Sequence, residues 1–350
     1  VDITVAGSLH VEGTPDEPTL ITPLNEDEPW GGFLLMNEPA TANIAHTIIT
    51  GSGAHRTWYF ANRGNRSHRP EQAAFHFGRG TTGHFDHVYL IENAGQALHG
   101  ENASITIDHS LVQKCQTVGQ FNEGAVTIRS SAFIEFPVED AQFVDGDNDG
   151  FYFTFGTHQI SDSLIGWTKD DGIDAGGNDP GQVTVERCWI ESCFHEGMAL
   201  SGKDKIVSVK DTVFLNNGQG VEAGYLSPRV NVADSLFTSN LVGLRFGDNY
   251  FREHSGSLTA SGSISVFNDR DVWGLTANLW AEDLSKMTIE GNIFSDVPES
   301  FSNNSKWQSD SDQTLGLDRF RSRPSAPVGI GFLDTFKMAP TVPTNLQIKL

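Results

Sequence analysis

The sequence predicts an all-β chain wound as a right-handed parallel β-helix of roughly ten rungs, on two observations. The first is a run of five related segments, Asp149-Gly150-Phe151, Asp171-Gly172-Ile173, Glu196-Gly197-Met198, Gln219-Gly220-Val221 and Val242-Gly243-Leu244. Their glycines lie 22, 25, 23 and 23 residues apart. A fixed period of this size marks stacked units, each too small to bury its own apolar face. The second is the other half of each unit, where the stretches beginning at Val183, Val207 and Val230 align with one another. Apolar residues alternate at their first and third positions, a small hydroxyl or thiol is sixth, and apolar residues return near the eighth. Alternation broken by Asn, Gly and Asp reads as short strands and turns.

Taken in order, residues 1–41 read as an N-terminal cap and a first partial rung. The helix proper spans 42–300, with rungs beginning near Ala42, Thr81, Ile105, Val126, His158, Val183, Val207, Val230, Leu258 and Met287. Two insertions, 54–74 and 137–148, interrupt it, and loops on one side of a solenoid commonly build its binding face. Residues 301–350 read as an irregular segment and a linker towards a further domain. Gly at 36 of 350 residues suits a coil that turns several times per rung. The net charge of −22 argues against nucleic acid as a partner. There is no run of about 18 apolar residues that would cross a membrane as a helix.

Of the three cysteines, Cys115 and Cys193 share a column of the repeat three rungs apart. That separation is ~14 Å, too far for a disulfide. Cys188 stands where other rungs carry Ser110, Ser131, Ser163, Thr212 and Ser235, and reads as a small buried filler.

Equivalent positions of neighbouring rungs lie ~4.8 Å apart. The position before the repeat glycine therefore stacks Asp149, Asp171, Glu196, Gln219 and Val242. Two places after the glycine, facing outward, come Tyr152, Asp174, Ala199, Glu222 and Arg245. Phe151, Ile173, Met198, Val221 and Leu244 lie between them and point inward. With Asp170 and His195 this makes a ladder of carboxylates over three rungs. Like charges so close raise one another's pKa unless a cation, a shared proton or an arginine compensates. The bland alternative is a row of solvated turn residues, since Asp before Gly is common in turns.

Asp145, Asp147 and Asp149 with Gly150 match the start of a calcium loop, Asp-x-Asp-x-Asp-Gly. Position twelve is Gly156 rather than a bidentate Glu, so this is no EF-hand, and Ca2+ would need ligands from the next rung. In the insertion 54–74, Arg56, Arg63 and Arg66 gather beside Trp58, with His55, His68 and Arg69. Guanidinium groups grip carboxylate or sulfate in two-pronged fashion, and aromatic rings stack on sugar faces. The scattered histidines His76, His84, His87 and His99 read as surface or packing residues.

The order Asp147-Asn148-Asp149-Gly150, Asp170-Asp171-Gly172, His195-Glu196-Gly197 and Gly243-Leu244-Arg245 resembles the motif order of polygalacturonases, which are pectin-lyase-like β-helices. That resemblance implies Asp149, Asp170 and Asp171 as acid and base carboxyls, His195 as their neighbour and Arg245 as a substrate contact. Here the histidine motif ends His-Glu-Gly, an extra rung separates His195 from Arg245, and Phe246 replaces the last motif's lysine.

Glycoside hydrolysis needs two carboxyls across the scissile bond, ~5–5.5 Å apart for retention or ~6.5–9.5 Å for inversion, and stacked rungs offer both. The resulting expectation is a secreted or cell-surface glycoside hydrolase acting on an anionic polysaccharide. Asp171, Glu196, Asp149, Asp170 and His195 are its candidate catalytic residues; Arg245, Glu222, Asp174, Arg56, Arg63, Arg66 and Trp58 are its candidate substrate contacts. Two alternatives stand beside it. One is a calcium-dependent lyase with Arg245, Lys169 or Lys203 as base; the other is a non-catalytic calcium-binding adhesion module.

Overall fold

In a computed structural model, residues 1–25, 27–63, 68–136, 148–248, 253–274, 287–294 and 306–309 are described. They hold twenty-eight short strands and one helix, Trp58–Arg63. The strands pair in parallel, each with its counterpart one turn away. One inward column reads Phe33, Phe75, Leu98, Gly119, Phe151, Ile173, Met198, Val221, Leu244 and Val272. A second reads Val11, Ile44, Phe85, Ile107, Ile128, Ile160, Val185, Val209, Val232 and Ala260. Period-2 alternation turns these side chains into a single buried core that runs the length of the coil. Aromatic rings stack inside it at the rung spacing, as Phe214 does on Phe237 at 4.7 Å and 4°.

The repeat glycines have a steric cause. A Cβ on Gly150 would meet the carbonyl oxygen of Gly172 at 2.5 Å, and one on Gly172 that of Gly197 at 2.6 Å. Gly197 and Gly220 face the next glycine's carbonyl in the same way, at 2.7 and 2.5 Å. On these rungs a side chain at that position would collide with the next rung's carbonyl.

The small-residue column forms a ladder of hydrogen bonds. The amides of Ser110, Ser131, Thr212 and Ser235 donate to the hydroxyls of Ser131, Ser163, Ser235 and Ser263 one rung on. Each hydroxyl donates to the carbonyl two residues before it, as Ser131 does to Arg129. Cys188 takes this place, its amide bonded to Thr212 Oγ1 at 3.3 Å. All three cysteines are free and buried. Burial pushes the Cys188 and Cys193 thiols up to about 12 and Cys115 to about 11, which leaves them unreactive packing groups.

Each rung turns one corner through a left-handed residue, including His46, His87, His109, Ser130, Asp162, Arg187, Asp211 and Asp234. The strain is tolerated because the corner amides still bond to the next rung, His109 to Arg129 O and Asp162 to Glu186 O among them.

The stacking reaches beyond the 42–300 span at both ends. Within residues 1–41, Ile3–Val5, Ser8–Glu12 and Thr19–Ile21 already pair as strands of the stack. Lys306–Ser309 pairs onto Met287–Phe294. The expected linker near the C-terminus lies outside the described residues.

Candidate active site

The register brings the acidic positions together as the spacing requires. Tyr152, Asp174, Ala199, Glu222, Arg245 and Trp273 stack on the outward face. Beside them Glu196 pairs with Gln219 and Gln219 with Val242. Asp149, Asp170, Asp171 and Glu196 are each at least nine-tenths buried, so these are not solvated turn residues. The ladder is tied by its own backbone: Asp171 N donates to Asp149 Oδ1 at 3.3 Å, and Glu196 N to Asp171 Oδ1 at 2.9 Å. Gln219 Nε2 donates to Glu196 Oε1.

Backbone hydrogen bonds do not offset the crowding of charge. Burial, followed by the neighbouring Glu196, Asp149 and Asp170, holds the Asp171 carboxyl well above the usual carboxylate range. The Asp171 and Glu196 side chains are hydrogen-bonded to each other. Glu196 goes the other way: burial opposes its charge, but bonds from His195 and Asp171 and the nearby Arg245 hold it below its ordinary value. The two carboxyls therefore titrate as a pair, with Asp171 the one that burial and charge push towards its protonated form. His195 Nδ1 stands 2.6 Å from Glu196 Oε2, 3.5 Å from Asp170 Oδ1 and 3.7 Å from Asp171 Oδ1. Its bonds to Asp170 and Glu196 raise the imidazole to about 11, so it is a cation, half exposed at the mouth of the site.

Farther along, Glu222 Oε2 meets Arg245 Nη1 at 3.0 Å, both side chains at least nine-tenths buried. Burial and the charge on Glu196 nevertheless push Glu222 well above its usual range, with Arg245 pulling the other way. The Arg245 guanidinium lies 5.1 Å over the Trp273 ring. The carboxyls and His195 surround a cavity of about 190 Å³ lined by Asp149, Tyr152, Asp170, Asp171, Asp174, His195, Glu196, Ser201, Glu222, Tyr225 and Asp248, with His68 at one end; Arg245 and Trp273 are not among its lining residues. A larger cavity, about 460 Å³, lies across the preceding turn among Trp167, Lys169, Phe194 and Leu241. The coupled carboxyls belong to the smaller one.

The 54–74 insertion reaches the ladder, but not through the residues expected. Trp58 begins the helix Trp58–Arg63 and is buried against Leu34, Tyr59 and Ala73, so its ring is not open to stack on a sugar. Arg56 is exposed and does not line the cavity. Arg66 and the side chain of Arg63 lie outside the described residues, as do Asp145 and Asp147. The residue that arrives is His68. Its ring stacks on Tyr152 at 3.8 Å and 13°, its Nδ1 lies 3.2 Å from Asp149 Oδ2, and its amide donates to Gln120 Oε1. Tyr59 covers His76 and His99 on the earlier rungs. Asp248, bonded to His254 at 3.1 Å, also joins the lining unforeseen, because it follows the last repeat.

Two groups could hold a cation here: His68 with Asp149 and Asp174, and Asp170 with Asp171 and His195, the ligand atoms of each set lying within 4.8 Å of one another.

A family model described as a right-handed β-helix region matches residues 96–250. The chain is a right-handed parallel β-helix. Among solved structures it is similar to pectate lyase Pel9A, with a TM-score of 0.50 and 15% identity over 91% of this chain and 74% of that one. It also aligns with a mannuronic acid specific polysaccharide family 6 lyase from human gut microbiota, at a TM-score of 0.45 and 10% identity over 91% and 86% of the two chains. The periplasmic alginate epimerase AlgG aligns at a TM-score of 0.43 and 8% identity, over 84% and 69%. At these identities the likeness is one of fold. No curated protein matches the sequence.

Proposed function

We propose that this β-helix is an extracellular polysaccharide-cleaving enzyme, and that it hydrolyses glycosidic bonds in an anionic, uronate-type chain. The carrying observation is the Asp171–Glu196 pair: two buried, hydrogen-bonded carboxyls, one held well above its ordinary value and the other below it. A buried protonated acid is what departure of a glycosidic oxygen needs. Asp171 is the proton donor in this reading. Its direct bond to Glu196 is shorter than the ~5–5.5 Å that a retaining pair spans, so those two act as one acid unit. The partner carboxylate across the scissile bond is then Asp149 on the neighbouring rung, ~4.8 Å away along the stack. His195 keeps Glu196 ionised and Asp171 protonated, and Asp174 and Glu222 contact the sugar.

A uronate entering so many carboxyls requires positive charge. His195 and Arg245 supply part of it, and Ca2+ is proposed for the rest. Asn148 Oδ1, buried beside Asp149 and without a hydrogen-bond partner among the described residues, is the hard oxygen ligand that calcium takes.

A calcium-dependent lyase is the second reading, favoured by the two cation-capable clusters and by the pectate lyase among the structural neighbours. It stands second because of its base. Arg245 is buried against Glu222, Lys169 lines the other cavity and Lys203 is exposed. Lys205, lowered to about 8 by burial, donates to the carbonyls of Thr154 and Asp179.

The deciding experiment incubates wild type and Asp171→Asn with polygalacturonate, alginate and sulfated glycans, with and without a calcium chelator. Reducing ends without an ultraviolet-absorbing unsaturated product mark the hydrolase; that absorbance marks the lyase. Binding without turnover would replace both with the adhesion module.

A further inference from the structure

A second cluster of ionisable groups lies well away from the acidic cleft. Asp86, His87 and His109 gather at the left-handed corner of two successive turns. Asp86 pairs in register with Asp108, Asp108 with Arg129 and Arg129 with Ser161, three steps before the strand that carries Tyr152. The corner is also at the opposite end of that strand from the cleft.

Asp86 Oδ1 is 2.9 Å from His87 Nδ1 and 3.0 Å from His109 Nδ1. The two imidazoles stack at 4.8 Å and 20°, and His46 stacks on the far side of His87 at 4.8 Å and 29°. All three histidines sit at positive φ, 44° for His46, 54° for His87 and 47° for His109. Later rungs fill the same corner with Ser130, Asp162, Asp211 and Asp234. Here the stack aims two ring nitrogens from different rungs at one carboxylate oxygen.

We propose that Asp86, His87 and His109 form a binding site for a divalent transition ion, with zinc as the best match, that clips neighbouring turns of the N-terminal half together.

The geometry is close to what zinc asks. Ligand arms of about 2.0–2.1 Å in a tetrahedron set ligand atoms ~3.3 Å apart. The two N···O edges are within a few tenths of an ångström of that, and all three ligand atoms lie within 4.8 Å of one another. Two imidazoles and one carboxylate suit zinc, cobalt, nickel or copper and not calcium, which takes oxygen. The side chains are 36%, 41% and 42% exposed, which leaves an entry path and a position for water. The competing reading is two plain hydrogen bonds to Asp86.

The test uses the full, tag-free chain stripped with chelator, titrated with ZnCl2 by calorimetry and followed by thermal melting. Cobalt substitution gives a spectroscopic check, because tetrahedral nitrogen ligation produces visible d–d absorption. His87→Asn and His109→Asn keep a residue that tolerates the left-handed corner. Wild type should bind zinc, melt higher with it, and show the cobalt band. Each variant should weaken that binding at least about tenfold and lose the band, while Asp171→Asn keeps both. Should His109→Asn fail to fold, His87→Asn decides alone. Absence of zinc binding by wild type, or binding that survives in the histidine variants and disappears in Asp171→Asn, overturns the proposal.

Discussion

The Glu196 amide donates to Asp171 Oδ1 at 2.9 Å while the side chains of the same two residues hydrogen-bond to each other. The backbone that builds the β-helix thus also fixes the geometry of the acid pair. Evenly spaced rungs make such a pair almost unavoidable once two acids occupy the position before the repeat glycine.

Asp171→Asn should abolish turnover and yet stabilise the fold at neutral pH. The folded-state value of Asp171 lies well above the ordinary aspartate value. The stability it contributes is therefore complete below that value and is lost as pH rises through the raised one, because the unfolded chain gives up a proton that the folded chain keeps. Asn carries no such proton. We expect a loss of ~10²–10⁴ in kcat, as for removal of a general acid, with Tm at pH 7 higher by ~2 °C or more. The variant's Tm should also fall less between pH 5 and pH 8. A lower Tm at pH 7 would show that the carboxyl is ionised and supports the fold as a charge.

Arg245→Met tests the buried contact with Glu222. Loss of the guanidinium leaves Glu222 facing Glu196 and Asp248 with His195 as the neighbouring cation that remains. Urea midpoints should fall by the equivalent of about 3 kcal/mol, the scale for breaking one side of a buried pair. Adding Glu222→Gln should recover part of that loss. Strict additivity of the two substitutions, within ~0.5 kcal/mol, would mean that the 3.0 Å contact carries no coupling.

The repeat was legible because five successive rungs, Gly150 to Gly243, place glycine where an added Cβ would meet the next rung's carbonyl. The acids were legible because each precedes such a glycine. Residues 1–41 read as a cap and a first partial rung, and the short strands Ser8–Glu12 and Thr19–Ile21 within them have too few residues to show the repeat. The insertion misled for a different reason. Trp58 lies in a polar stretch and read as a sugar platform, but a helical turn directs it onto Leu34 and Ala73. The approach of His68 depends on bonds to Gln120 and Asp149, 52 and 81 residues distant, which no local pattern encodes.

Gly172→Ala should be among the most damaging single-methyl changes in the chain. Its Cβ would lie 2.6 Å from Gly197 O and 2.9 Å from Cys193 Sγ, with backbone on one side and core on the other. A loss of about 1–3 kcal/mol is expected from overpacking. Gly7→Ala, with nothing within 4 Å of the added atom, should stay within ~0.5 kcal/mol of wild type. Equal effects at the two positions in chemical denaturation would remove the steric account of the repeat.

His68 ends the cleft, and that has a consequence for how a polysaccharide is cut. On the outward face, Trp58 packs on Leu34, Tyr59 on His76 and His99, and the His68 amide holds Gln120. Four consecutive rungs are therefore covered, and the open face begins at Tyr152, where the His68 ring lies parallel at 3.8 Å. Asp171 is only one rung beyond that wall, ~5 Å along the stack. A chain lying along the face can extend past Asp171 in one direction and meets the wall in the other. If the cleft cleaves polysaccharide, as proposed above, it should remove short units from chain ends. The measure is the product profile: mono- or disaccharide from the first time point, with viscosity falling slowly relative to reducing ends. His68→Ala removes the ring and its contact with Asp149, and should shift early products of any remaining turnover towards longer oligosaccharides. A wild-type enzyme that releases a broad ladder of oligomers at once would show that the chain passes the wall, and that the insertion positions Asp149 without limiting the length of the site.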